Sequence, residues 1–152
     1  MLQPMYFSET LYPEHNKEVG EFVCNAIWGS PDTLEKYCTM GVYDGDKLVA
    51  GTVYHNYHPD SGVIELTSAS LDKKWLTRPI IRAMFWLPFK RLGCQLIVLR
   101  VSERNTRMCQ IAKSFGFKEF LIPRLRGRDE NEYIFTFTDD QWQASKYYGD
   151  VV

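Results

Sequence analysis

The segment from Val63 to Ser102 restricts the fold of this chain more than any other part of the sequence. It begins with "VIELTSAS", continues through "TRPIIRAMFWLPFKRLG", and ends with "CQLIVLRVS". The first and last stretches are typical of strands, and the last is almost uninterruptedly apolar, as in strands buried on both faces. Two strands joined by a helix lie parallel, with a right-handed crossover. The sequence therefore predicts a parallel pair within a mixed sheet.

The residues before this unit predict one strand, two helices and a hairpin. "PMYF" is typical of a short first strand, and "PEHNKEVGEFVCNAIW" (13–28) has apolar residues at helical spacing. "GSPDTLEKY" predicts a short second helix, with Ser30 as N-cap and Pro31 at the first helical position. "MGVYDGDKLVAGTVYHNYH" then predicts two antiparallel strands that turn at "DGD".

The residues after the unit predict a helix and a last hairpin. "RNTRMCQIAKSFGF" has an apolar stripe and ends at Gly116, while "KEFLIP" and "NEYIFTFT" are typical of strands joined by "RLRGRDE". The tail from Asp139 is either a short helix or a loosely packed end. Pro88 should kink the crossover helix. We expect a mixed α/β domain of order β-α-α-β-β-β-α-β-α-β-β.

Composition limits the functions that this chain can have. Its 152 residues suit a single domain, and 18 basic against 19 acidic residues leave no global positive field for nucleic acid. The four cysteines form no CxxC pair, and no signal peptide precedes them, so we expect reduced thiols in the cytoplasm. The three histidines are dispersed, which argues against a metal site, and Arg82 and Pro88 interrupt the most apolar stretch, which argues against a membrane span.

Several residues match, in order and on the expected elements, the pattern of a known family. They are Phe89 and Leu92–Gly93 at the end of a helix, Asn105 between the following strand and the next helix, and Gly116–Phe117 where that helix ends. With the element order, they resemble the GCN5-related N-acetyltransferase (GNAT) superfamily over roughly Met5 to Trp142. The pattern is most similar to that of the ribosomal-protein N-terminal acetyltransferase branch and related bacterial and phage proteins.

This resemblance implies acetyl-coenzyme A bound between the two parallel strands. It implies that the pantetheine arm follows the first of these strands, with Asn105 nearby, and that the pyrophosphate lies where the crossover helix begins. The cofactor-binding residues would be Leu66, Thr67, Ser68, Ala69, Ser70, Lys73, Lys74, Trp75, Leu76, Thr77, Arg78 and Asn105. The loop lacks the family's glycines, since none occurs between Gly62 and Gly93. Either Lys73, Lys74 and Arg78 supply the charge instead, or they are only solvated.

The same resemblance implies a glutamate base on the strand before this loop, which here is Glu65. Burial would raise its pKa toward a useful range. The alternative is an exposed or salt-bridged strand residue, because the alternation of the strand does not reveal which face meets the cleft. The positions that carry a general acid in many relatives are Met108 and Ala112, so neither group is present.

Two further sets of residues permit both a functional and a structural interpretation. His55 and His58 could be bases, although a strand histidine is more often structural. The arginines of the last loop could receive an acidic acceptor or form a solvated turn; they are Arg124, Arg126 and Arg128.

The sequence leaves two functions open. The first is acetyl transfer from acetyl-coenzyme A to a primary amine, which could be a protein N-terminus, a lysine or a small molecule, by a monomer or homodimer. The second is a catalytically silent structural or regulatory protein of the same fold, for example one encoded by a phage. The retained Asn105 and Glu65 favour the first function, while the missing glycines and acid favour the second.

Overall fold

A computed structural model describes residues 1–150. The seven strands are Leu2–Phe7 (β1), Tyr37–Asp44 (β2), Lys47–His58 (β3), Val63–Ser70 (β4), Leu96–Ser102 (β5), Lys118–Ile122 (β6) and Glu132–Thr138 (β7). The helices are Pro13–Trp28 (α1), Arg78–Trp86 (α2), Thr106–Ser114 (α3) and Asp139–Gln143 (α4).

The strands form one mixed sheet of order β1-β2-β3-β4-β5-β7-β6. β4 and β5 run parallel, as the crossover pattern predicts, and the remaining neighbours are antiparallel. The expected mixed α/β architecture is confirmed.

The prediction of a second helix over "GSPDTLEKY" is wrong. Residues 30–36 form turns, in which Thr33 Oγ1 donates a hydrogen bond to the Ser30 carbonyl at 2.9 Å. The capping signals at Ser30 and Pro31 are present, but a helix this short needs an apolar face to pack against the core. Leu34 is the only large aliphatic residue available, because Tyr37 already begins β2.

Pro88 interrupts the crossover helix by a change of helix type. Leu87–Arg91 form a π-helical turn in which the Leu92 amide bonds to the Leu87 carbonyl at 3.0 Å. The wider turn accommodates the proline, which lacks an amide hydrogen and crowds the preceding turn. The tail begins with a short helix, α4, which a capping box between Thr138 and Gln141 starts; its last two residues, 151 and 152, lie outside the described part of the chain.

Helices cover both faces of the sheet. α1 packs on β2, β3 and β4, where Val19 lies so close to the backbone of β3 that Gly51 has no room for a side chain. The opposite face carries α2, α3 and the main core. Its centre is aromatic: Phe117 stacks on Phe137 at a 4.7 Å centroid distance, and Phe85 lies 5.2 Å from Phe137.

Candidate active site

The two parallel strands separate soon after they meet. β4 pairs with β5 only through Val63–Leu96, Ile64–Ile97 and Glu65–Val98. β5 stays paired with β7 over its full length, from Leu96 to Ser102. Within the described residues, the β5-facing edge of β4 is therefore unpaired from Leu66 onward. Such an edge offers free backbone donors and acceptors to an extended ligand.

An apolar pocket opens at this separation on the α2–α3 side of the sheet. We use this name for a pocket of about 170 Å³ whose walls come from β4, the following loop, β5 and α3. Its lining includes Leu66, Ser68, Lys73, Leu99, Arg107, Met108, Ile111 and Phe115.

A second cavity lies on the opposite, α1 side of the sheet. This charged cleft has a volume of about 220 Å³ and is lined by Ile27, Trp28, Glu65, Thr67, Arg100, Arg126 and Glu132. Because side chains alternate along a strand, Leu66 and Leu99 border the opening on one face, while Thr67 and Arg100 border it on the other. The apolar pocket and the charged cleft therefore adjoin the same separation of strands from opposite sides.

Glu65 stands at the last paired position of β4 and faces the charged cleft. Its side chain is 12% exposed, and its Oε2 lies 3.6 Å from Nε2 of His55. Burial raises the pKa of the Glu65 carboxyl, while the Asn56 side chain and the Arg100 charge act in the opposite direction. A carboxyl group in such an environment holds a proton more readily than an ordinary glutamate does.

His55 is buried behind Glu65. Its Nε2 shares a 2.9 Å hydrogen bond with Thr67 Oγ1, and its ring meets that of Trp28 edge to face. Burial lowers the pKa of His55 to about 4, so the imidazole is neutral at neutral pH. The contact with Glu65 is then not an attraction between two full charges. His58, the other candidate on this strand, is exposed and bonds to Asn56.

The loop between β4 and α2 is held by its own hydrogen bonds. Ser70 Oγ accepts from the Asp72 amide at 2.9 Å, and Asp72 Oδ1 accepts from the Lys74 amide at 2.8 Å. Amides further along the loop bond to loop carbonyls, those of Trp75 and Thr77. In the described segment 71–80, the amides without a hydrogen-bond acceptor are those of Lys73, Leu76, Arg78 and Ile80. A phosphate group could be met by this smaller set of amides, at the start of α2.

The structure divides the residues that the sequence proposes for the cofactor into two groups. Those that line the apolar pocket are Leu66, Ser68, Ala69, Ser70, Lys73, Trp75 and Leu76. Those that lie outside it are Thr67, Lys74, Thr77, Arg78 and Asn105. Thr67 points into the charged cleft, and Lys74, Thr77 and Arg78 are exposed on the loop and at the helix start.

Asn105 has the capping role that its position indicates. Its Oδ1 accepts a 3.1 Å hydrogen bond from the Met108 amide at the start of α3. Thr77 occupies the corresponding position before α2, but its side chain forms no cap hydrogen bond.

The structure adds Arg107 to the residues around the loop. Its Nη2 donates a 3.0 Å hydrogen bond to the Lys73 carbonyl, which ties the start of α3 to the loop. Sequence reasoning missed this residue, although its place in the first turn of the helix after the second parallel strand was a usable signal. A second group that the sequence did not connect is Arg100 with Glu132, which are 32 residues apart along the chain.

No acid group replaces the residues missing from α3. Ala112 is buried and Met108 lines the apolar pocket. Burial raises the pKa of the Cys109 thiol, and the Ser114 hydroxyl donates to the Ile111 carbonyl at 2.7 Å. The arrangement therefore places a carboxyl group at Glu65 without an acid group on α3.

Comparisons with known proteins find likeness in structure but not in sequence. No protein-family model matches the chain, and no curated protein matches it by sequence. Solved structures of GNAT acetyltransferases do match. A GCN5-related N-acetyltransferase from Brucella melitensis superimposes with a TM-score of 0.64 at 16% identity, covering 94% of this chain and 78% of that one. The chain therefore has the fold of the GNAT acetyltransferases.

Among these structures is the spermidine/spermine N-acetyltransferase SpeG from Vibrio cholerae. A mutant form has a TM-score of 0.72 at 13% identity, with 95% of this chain and 98% of that chain covered. A dodecameric structure of the same spermidine N-acetyltransferase has a TM-score of 0.70 at 14% identity, with 97% and 98% covered. The chain spans less of three other structures described as acetyltransferases, namely 62%, 62% and 66% of their lengths.

The helices also bear on the expectation about membranes. Among residues 1–150, no helix combines the length and the apolar character needed to cross a bilayer.

Proposed function

We propose that this protein is an N-acetyltransferase that moves an acetyl group from acetyl-coenzyme A to a primary amine. The observation that carries the proposal is the separation of β4 from β5 after three residue pairs, with a cavity on each side of the opening. In an acyl transfer the two substrates must meet at one point, and they do so by approaching it from different directions. We further propose that the whole chain acts as one such domain.

The residues of the apolar pocket fit the pantetheine arm of coenzyme A. The free edge of β4 from Leu66 to Ser70 can pair with its amides, and Met108, Ile111 and Phe115 provide apolar contact. Bound there, acetyl-coenzyme A supplies an activated acetyl thioester.

The residues around the loop fit the pyrophosphate less completely. The amides of Lys73, Leu76 and Arg78 remain available, together with the charged side chains of Lys73 and Arg107 at the pocket. The cationic side chains would then provide part of the phosphate binding that backbone amides provide in glycine-rich loops.

Glu65 acts as the general base in this proposal. An amine must lose its proton before it attacks, and Glu65 can accept that proton from the α1 side of the opening. His55 holds Thr67 and contacts Glu65, which makes it a positioning residue. Because no acid stands on α3, the thiolate would leave with a proton from water.

The kind of amine is a finer question. The notion of a protein N-terminus, suggested by the likeness to the ribosomal-protein branch, remains a prediction. The charged cleft has a volume of about 220 Å³, which can hold an amine nitrogen and the groups next to it.

The alternative function is a silent protein of the same fold. It is supported by the loop, whose Asp72, Lys74, Trp75 and Thr77 amides are already bonded, and by Ala112 and Met108 at the acid positions. Coenzyme A would then bind weakly or not at all.

The decisive experiment combines cofactor binding with turnover. Acetyl-coenzyme A binding is measured by calorimetry, and acetylated products from a panel of amines are detected by mass spectrometry. The variant Ile111→Trp should fill the apolar pocket and reduce both signals by about tenfold or more. Gln110→Trp, exposed on the same helix, is the matched control. Binding without turnover on any amine would favour the silent protein, and absence of binding would refute the enzyme.

A further inference from the structure

Two arginines and a buried glutamate form a fixed array in the charged cleft. Glu132 Oε2 accepts from Arg100 Nε at 3.0 Å and Nη2 at 2.8 Å, and Glu132 Oε1 accepts from Arg126 Nε at 2.9 Å. Glu132 is 1% exposed, whereas the side chains of Arg100 and Arg126 are 45% and 31% exposed. The carboxylate is thus an internal anchor that holds two guanidinium groups at the wall of the cleft.

Several N–H donors of the array remain available to a ligand. Within residues 1–150, Arg100 Nη1 and both Nη atoms of Arg126 have no hydrogen-bond partner. These nitrogens belong to side chains whose orientation Glu132 already fixes, so little rotamer entropy is lost when they bind a ligand. Two guanidinium groups held in this way suit a planar anion such as a carboxylate.

The charges of the cleft favour an anionic ligand over a cationic one. Arg100 and Arg126 carry two positive charges, and Glu132 balances one of them. Glu65 is the other carboxyl in the cleft, and it loses its charge when it takes the proton of the amine. At that moment the four groups have a net positive charge, which a nearby anion would stabilise and a second ammonium group would oppose.

The array also lies where the substituents of an acceptor amine must lie. Arg100 and Thr67 border the strand opening on the same face as Glu65. Trp28 and Ile27, at the end of α1, form the apolar side of the same cleft. An amine that approaches Glu65 from this side therefore places its neighbouring groups against the guanidinium groups.

We propose that the acceptor is a primary amine with a carboxylate close to its nitrogen, as in a free α-amino acid. The proposal rests on the proposed acetyl transfer and specifies its substrate class. The amine nitrogen lies toward Glu65, the carboxylate binds Arg100 Nη1 and the Nη atoms of Arg126, and a short side chain packs on Trp28. The amine nitrogen forms a C–N bond to the acetyl carbon as the C–S bond of the thioester breaks. Glu65 takes the amine proton and the departing thiolate takes a proton from water, which yields the N-acetyl amino acid and coenzyme A. The same cleft disfavours polyamines, the acceptors named for SpeG.

The test compares acceptors that differ in one group. Rates are measured for L-alanine, L-alaninamide, ethylamine and spermidine with the wild-type protein. Alaninamide has the less basic amine, so a preference for alanine cannot arise from the availability of free amine. We expect kcat/KM for alanine to exceed that for alaninamide by about tenfold or more, the effect of one charge-assisted hydrogen-bonded contact.

The variant Arg126→Lys replaces the planar guanidinium and its two Nη groups by a single ammonium group but keeps a positive charge beside Glu132. It should lower the ratio of kcat/KM for alanine to that for alaninamide by about tenfold, because an ammonium group cannot bind a carboxylate through two parallel N–H bonds. Arg91→Lys, exposed on the opposite side of the sheet, is the matched control and should not change the ratio. Alaninamide or spermidine turned over as well as alanine would overturn the amino-acid acceptor while leaving acetyl transfer intact.

A binding measurement separates this proposal from the proposed function. The indole NMR signal of Trp28, assigned with Trp28→Phe, is followed while L-alanine or L-alaninamide is added. A shift with alanine alone, lost in Arg126→Lys, supports the carboxylate site even if no amine is acetylated, in which case only the enzyme is refuted. No shift and no turnover would overturn both.

Discussion

His55 allows a quantitative test of the electrostatics behind Glu65. Its imidazole is 6% exposed, and burial lowers its pKa from 6.5 to about 4. The His55 imidazole therefore binds a proton near pH 6.5 in the unfolded chain but only near pH 4 in the folded chain. Stability conferred by the neutral imidazole is thus complete above pH 6.5 and is lost as the pH falls through that window. The full shift corresponds to about 3 kcal/mol, and the part between pH 7 and pH 5 to about 2 kcal/mol.

The measurement is urea unfolding at pH 7 and pH 5 for wild type and His55→Gln. Wild type should lose about 2 kcal/mol more of its free energy of unfolding than the variant does. Glu65 complicates the wild-type value, because burial raises its pKa and its protonation on acidification partly offsets the loss. The same comparison in a Glu65→Gln background removes that contribution. His58→Gln, at an exposed position of the same strand, is the matched control.

One result would refute the reasoning. If wild type loses no more stability than His55→Gln in either background, folding does not lower the pKa of His55, and the imidazole is protonated at pH 5 in the folded state. The 3.6 Å contact with Glu65 would then be a true ion pair, and Glu65 would have a lowered rather than a raised pKa.

Three further predictions address the site and the core. Glu65→Gln should lower kcat by about a hundredfold or more without changing the affinity for acetyl-coenzyme A. Because burial raises the pKa of Glu65, wild-type activity should decline on acidification at a higher pH than an ordinary glutamate would give. Equal kcat values for wild type and variant would remove Glu65 from catalysis. Arg107→Ala should weaken coenzyme A binding by about tenfold but leave pantetheine, which lacks the pyrophosphate, unaffected in calorimetry; equal losses for both ligands would place its role away from the phosphates. Gly51→Ala should cost about 1–3 kcal/mol in urea unfolding, because a Cβ there would lie 2.7 Å from Val19 Cγ1; a neutral effect would mean that α1 shifts freely over the sheet.

Much of the fold could be predicted because the signals are local. The apolar run of β5, the alternation of β4 and the proline and glycine at the two ends of the crossover helix all act within one element. The prediction of a second helix was wrong for the opposite reason. Its capping signals at Ser30 and Pro31 are local, whereas the packing that a short helix needs is not.

The candidate base illustrates the limit of pattern reasoning. Alternation along β4 separates Glu65 and Thr67 from Leu66 and Ser68, but it does not reveal which set meets which helix. Only the placement of α1 on one face, and of α2 and α3 on the other, decides that Glu65 faces the charged cleft.

The sequence by itself determined the order of the seven strands, the helices α1, α2 and α3, the parallel pair and the general place of the loop after β4, because each depends on side-chain periodicity and turn residues. Only the tertiary structure decided that half of the amides in this loop form hydrogen bonds within the loop itself, and that Arg107 contacts the loop from the start of α3. It also assembled the charged cleft from Trp28, Arg100 and Glu132, which are far apart along the chain. Contacts of that kind depend on how strands and helices pack, and no short stretch of sequence encodes them.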